Sequence, residues 1–143
     1  VSLIRPSEPM LTPDCAASPA PGVLFEGCRL SGADMTGASL ARARMANAVL
    51  DAARMTEAHL LNADLRYANL AGADLSYARL DGADLKGANL RSADLTNADL
   101  TGADLSFADL SGARLGGARF DRTLLEGAIW PDGRPCKPAD CPR

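Results

Sequence analysis

From Phe25 to Leu125, every residue whose number is a multiple of five is Leu, Met or Phe. These 21 positions hold 16 Leu, three Met (Met35, Met45, Met55) and two Phe (Phe25, Phe120). Two residues before each stands a small residue: Ala in 18 of the 21 units, with Val23, Cys28 and Thr123 as the exceptions. A strict five-residue period kept from residue 23 to residue 127 requires stacked units rather than an ordinary globular core.

One unit, Ala83-Asp84-Leu85-Lys86-Gly87, shows what the period builds. Ala83 and Leu85 are apolar and Asp84 between them is polar, an in-out-in pattern that predicts a strand of three residues. The next two positions are polar, Gly or Asn across most of the array. The second of them is Gly at 27, 32, 37, 72, 82, 87, 102, 112, 117 and 127, and Asn at 47, 62 and 97. Gly and Asn tolerate positive φ and suit a turn. Each pentapeptide therefore reads as a short strand plus a corner. A helix is excluded, because a period of five does not keep Leu on one face of a 3.6-residue spiral. Corners of one sense coil the chain, and stacked coils pair their strands in parallel, about 4.8 Å apart.

All nine prolines lie outside this block, Pro6 to Pro21 before it and Pro131 to Pro142 after it. Proline lacks the N–H that a ladder needs. The organisation expected is a Pro-rich N-terminal cap or tail (1–22), a repeat body (23–130) and a Pro- and Cys-rich C-terminal cap (131–143). Trp130 falls on the multiple of five with Ala128 in the small slot, and reads as the plug of the C-terminal end, before the turn Pro131-Asp132-Gly133. Leu3, Ile4, Met10 and Leu11 are candidates to cover the other end, since an uncapped solenoid exposes strand edges and core.

The pattern A-[DN]-L-x-x over residues 23–127 resembles the pentapeptide repeat family. That resemblance implies an all-β fold, a right-handed quadrilateral parallel β-helix with four pentapeptides per coil. On that basis 21 units make about five coils, a rod roughly 25 Å long. It also sorts the outward middle positions into four columns. One reads Arg44, Asp64, Asp84, Asp104; a second Asp34, Arg54, Asp74, Asp94, Arg114. A third reads Ser39, His59, Arg79, Asp99, Arg119; a fourth Arg29, Val49, Asn69, Asn89, Asp109. Several members of the family inhibit DNA gyrase and topoisomerase IV by resembling B-form DNA. The acids that could do this here are Asp64, Asp84 and Asp104, with Asp94, Asp99 and Asp109 nearby, taking the place of phosphates on a basic saddle. The competing reading is that Asp or Asn at this position serves the turn amides. Mixed charge, a short array without an inserted loop, and a Pro-rich tail in place of a dimerising helix all favour the second.

The remaining signals are sparse. Net charge is −3, which argues against direct nucleic-acid binding. No run of about 18 apolar residues exists, so no transmembrane helix is expected. Residues 1–22 lack the basic start and apolar middle of a signal peptide. Cys15, Cys28, Cys136 and Cys141 lie near the two ends, which suggests disulfide staples, Cys15 to Cys28 and Cys136 to Cys141, in an exported, periplasmic or secreted chain whose leader has been removed. Reduced thiols in a cytoplasmic protein, and zinc held by the four cysteines, are the alternatives. Tyr67 and Phe107 occupy outward turn positions two coils apart on one side, with Tyr77 opposite. Exposed aromatics can anchor a protein partner. Leu24, Leu124 and Ile129 face outward near the ends, where caps or a second molecule would meet them, so a monomer or an end-to-end dimer is expected. His59 is the one histidine and reads as a solvated surface residue. Inward positions are small or apolar, with no phosphate loop and no nucleophile–base spacing. The sequence thus points to a non-enzymatic scaffold or interaction module with no cofactor and no metal. A DNA-mimicking topoisomerase binder is the alternative.

Overall fold

The computed structural model describes residues 12–136. Leu3, Ile4, Met10, Leu11 and Cys141 lie outside the described residues. Within them the chain winds as a four-sided parallel β-helix of the right-handed pentapeptide type. Each outward residue pairs in parallel with the one twenty positions on, from Leu24 with Arg44 to Asp109 with Ile129. Four units therefore complete one coil, and the four expected columns are the four faces of the rod.

The backbone amides explain why five residues suffice per side. In the unit at residues 83–87, Ala83 N–H donates to Leu80 O across the corner (3.0 Å). Asp84 N–H donates to Ala63 O in the preceding coil (2.9 Å), and Leu85 N–H to Asp104 O in the following one (2.7 Å). Gly87 N–H donates to Ser106 O, also in the following coil (2.9 Å). The fifth donor, Lys86 N–H, finds the side chain of Asp84 (Oδ1, 3.1 Å). Every N–H of the unit is thus satisfied, as a buried backbone requires. The three-residue strand expected from the alternation is shorter here. Only the middle residue is bridged on each face, because the corner captures the N–H of the residue before it.

Each corner is a type II turn, with positive φ at its third residue alone. Gly82, at φ 70°, takes this place in the turn from Leu80 to Ala83. Where the chain first enters the coils, Pro21-Gly22 supplies the residue pair this turn prefers.

The residues at every fifth position from Leu40 to Leu110, and the inward alanines from Ala43 to Ala108, are essentially sealed from solvent. Each such Leu contributes about 2 kcal/mol relative to leaving it in water. Alanine fits because the rod is too narrow for two large residues on one side. At the entry end, Asp14 N–H donates to Leu24 O (2.9 Å) and Ala17 packs on the core. At the exit end, Trp130 is half-buried against Phe120, ring centroids 5.4 Å apart. The chain then reverses: Gly133 N–H donates to Trp130 O, Pro135 pairs antiparallel with Ile129, and Cys136 N–H donates to Ala128 O (2.7 Å).

Candidate interaction surface

The face that begins Leu24, Arg44 carries Asp64, Asp84 and Asp104 in successive coils, followed by Leu124. The Oδ1 atom of each accepts the N–H two residues on, from Arg66 (3.2 Å), Lys86 (3.1 Å) and Ser106 (2.9 Å). Asp94, Asp99 and Asp109 on the other faces do the same for Thr96, Thr101 and Ser111. Asn69 and Asn89 do it without charge, for Ala71 and Arg91 (both 3.1 Å). Where the corner uses a side-chain acceptor, an oxygen suffices and the carboxylate's charge is not required.

The charges are also largely interleaved. Arg66 grips Asp64 with Nε on Oδ1 (2.8 Å) and Nη2 on Oδ2 (2.7 Å), and reaches Asp84 at 3.9 Å. Arg44 pairs with Glu26 at 3.1 Å. The Arg66 hydrogen bond holds the Asp64 carboxyl below its ordinary value. Hydroxyls do the same elsewhere: Thr101 lowers Asp99 and Ser111 lowers Asp109, each from 2.6 Å. Asp99 lies between Arg79 and Arg119 in its column, and Asp94 between Asp74 and Arg114. Asp109 faces Arg91 at 3.8 Å.

The corner beyond the Asp64 face is different in kind. Its third-residue positions run Asn47, Tyr67, Gly87, Phe107, Gly127. Tyr67 and Phe107 are 60% and 59% exposed, and their φ angles are 59° and 62°. That region is uncommon for any residue with a Cβ and an outlier for bulky ones. Each ring folds over the glycine of the following coil. A Cβ at Gly87 would collide with the Tyr67 ring, and one at Gly127 would stand 2.5 Å from Phe107 Cδ1. Tyr77 (φ 59°) sits on the diagonally opposite corner, in a column with Glu57 and Asn97. Arg42, Ala52, Glu57, Ser92 and Arg122 are left-handed too. Composition hid this, since only Gly and Asn announce positive φ; phase alone, the shared fifth position of the repeat, reveals it.

Other residues singled out by the sequence lie apart from this corner. His59 sits between Ser39 and Arg79 in its column. Leu124 is largely exposed near the exit end. Cys15 and Cys28 are joined by a disulfide, Cα atoms 5.5 Å apart. Cys136 is also disulfide-bonded. The expected link from Cys136 to Cys141 lies outside the described residues. Among the described residues no group of His, Cys, Asp and Glu is placed to hold a metal ion, and no helix is long and apolar enough to cross a membrane.

Comparison with known proteins places this geometry. The profile of the family described as pentapeptide repeats matches in eight copies, over residues 22–56, 43–80, 53–91, 68–106 and 88–127. No curated protein sequence matches the chain. Among solved structures, the pentapeptide repeat protein Rfr23 of the cyanobacterium Cyanothece 51142 is 31% identical, with a TM-score of 0.59. The match covers 71% of this chain and 83% of that one. A pentapeptide repeat protein of the Arabidopsis thaliana thylakoid lumen is 35% identical, TM-score 0.56, over 80% of this chain and 72% of that one. QnrB1, a plasmid-mediated fluoroquinolone resistance protein, is 24% identical over 73% of this chain and 66% of its own. Its TM-score is 0.36. With its profile matched from residue 22 to residue 127, the chain belongs to the pentapeptide repeat family.

Proposed function

We propose that the protein is a non-catalytic, rigid interaction module whose partner is another protein, met as a monomer or an end-to-end dimer. One observation carries this reading. Tyr67 and Phe107 stand exposed at left-handed corner positions of one edge, whose other such positions, Gly27, Asn47, Gly87 and Gly127, are Gly or Asn. A strained, solvent-facing aromatic contributes nothing to the core, and such outliers cluster where a surface is used. The interior is filled with Leu and Ala, which leaves the outside of the rod to do the work.

A periplasmic or secreted setting is supported by the Cys15–Cys28 disulfide. The lumenal origin of the Arabidopsis relative points the same way. The test is site-specific photo-crosslinking in the native extract, with a benzophenone side chain at Tyr67, Phe107, Tyr77 and Glu57 in turn. A discrete protein adduct from Tyr67 and Phe107 is expected. Absence of a protein adduct from every corner would sink the reading.

The ladder Asp64–Asp84–Asp104 favours a second reading, a DNA-mimicking binder of a type II topoisomerase. Against it stand the Arg66 grip on Asp64 and the use of each Oδ1 by the chain's own amides. A gyrase supercoiling assay separates the two. Inhibition lost on Asp84→Asn and Asp104→Asn would establish the mimic, since Asn keeps the turn and removes the charge.

A further inference from the structure

We propose that the edge carrying Tyr67 and Phe107 is a rail for a proline-rich, basic segment of a partner protein, bound in the polyproline II conformation. This rests on the interaction-module reading and names the partner's chemistry. The two rings sit on one corner, two coils apart, with Gly87 between them and Gly127 below. Two coils at the spacing of paired strands put equivalent atoms about 9.6 Å apart. A polyproline II helix repeats every three residues at 3.1 Å each, so its side chains at i and i+3 face one way about 9.3 Å apart. An extended strand offers same-side steps of about 6.8 Å and does not match.

The rings are also prepared for flat, rigid ligands. Each is laid against a glycine one coil on, so little rotamer freedom is left to lose on binding. Polyproline II has no internal hydrogen bonds, and the exposed Tyr67 hydroxyl can donate to one of its free carbonyls.

Charge assigns the direction. Near Tyr67, Asp64 is already neutralised by Arg66. Near Phe107, Asp104 and Glu126 have no ion pair among the described residues. The Phe107 end of the rail is therefore where the ligand's Lys or Arg belongs.

The experiment titrates the isotopically labelled protein and its variants with a fluorescein-labelled peptide of ten prolines flanked at one end by two arginines. Amide resonances and anisotropy are both read. Expected are shifts confined to the neighbourhood of Tyr67, Gly87, Phe107 and Gly127. The double variant Tyr67→Asn, Phe107→Asn should lose at least tenfold in affinity, and Tyr77→Asn should lose less than twofold. Asn already occupies this left-handed position at 47, 62 and 97, so the double variant keeps the fold. Asp104→Asn with Glu126→Gln should weaken binding severalfold. Equal affinity for a Gly-Ser peptide with the same arginines, or for a basic amphipathic helix, would overturn the proposal. So would an unchanged affinity in the double variant, or no binding at millimolar peptide. If the peptide fails but a benzophenone at Tyr67 still yields a protein adduct, the partner class proposed here is wrong and the interaction-module reading stands.

Discussion

The ring of Phe107 lies over Gly127, twenty residues on and one coil down, so closely that a Cβ there would stand 2.5 Å from Phe107 Cδ1. The aromatic and the glycine are coupled across the corner. Gly127→Ala should displace the ring and force an alanine to φ 68°. The combined cost is about 1–2 kcal/mol. Thermal melts should show it, together with loss of the Phe107 ring-current shifts on neighbouring amides. An unchanged melt and spectrum would mean that the corner is softer than its geometry indicates.

Asp104 should be replaceable by Asn but not by Ala. The Oδ1 of Asp104 accepts Ser106 N–H at 2.9 Å in a partly buried corner, and losing that acceptor costs about 1 kcal/mol. Urea midpoints should place Asp104→Asn within error of the parent and Asp104→Ala clearly below it. If Asn is as damaging as Ala, the carboxylate's charge itself holds the corner.

Acid should weaken the rod over a defined window. Asp64, Asp74, Asp99 and Asp109 are all held below the ordinary carboxylate value, chiefly by hydrogen bonds from Arg66, Ser76, Thr101 and Ser111. A depressed folded-state value contributes stability above the unfolded value, about 3.9, and loses it as pH falls through the folded values. The urea midpoint should be flat near neutrality and fall below about pH 4. Arg66→Met should raise the Asp64 titration, read by carboxyl carbon resonances, and leave Asp99 where it is.

Reduction should loosen the entry end. The disulfide spans 13 residues and ties Cys15 to Cys28, which is 1% exposed. A loop of this size stabilises by roughly 3 kcal/mol. Cys15→Ala should lower the melting temperature by several degrees, with faster amide exchange at Val23, Phe25 and Leu30. Protection unaltered there would show that packing alone holds the segment.

Removal of residues 131–143 should uncover the exit end. Trp130 would lose the return strand that pairs Pro135 with Ile129 and ties Cys136 N–H to Ala128 O. Exposed edges recruit other chains, so aggregation or a large fall in melting temperature is expected. A truncated chain that melts like the parent would remove the cap assignment.

The coil was legible in the residues themselves. Leu at every fifth position, Ala two before it and proline only outside define side length, interior and extent, because each is a local demand of one strand and one corner. The outward Asp and Asn were legible as turn acceptors for the same reason. What the sequence by itself did not determine lies between coils. Nothing in the string Arg66-Tyr67 says that the arginine reaches Asp84 or that the tyrosine ring covers Gly87. Nor does composition show that Tyr67, Tyr77 and Phe107 are left-handed. Those facts need the twenty-residue register, which brings distant residues together, and a stack rigid enough to impose one backbone conformation on whatever side chain occupies the corner. The period wrote the shape, and only the stacked structure decided which side chains meet on its surface.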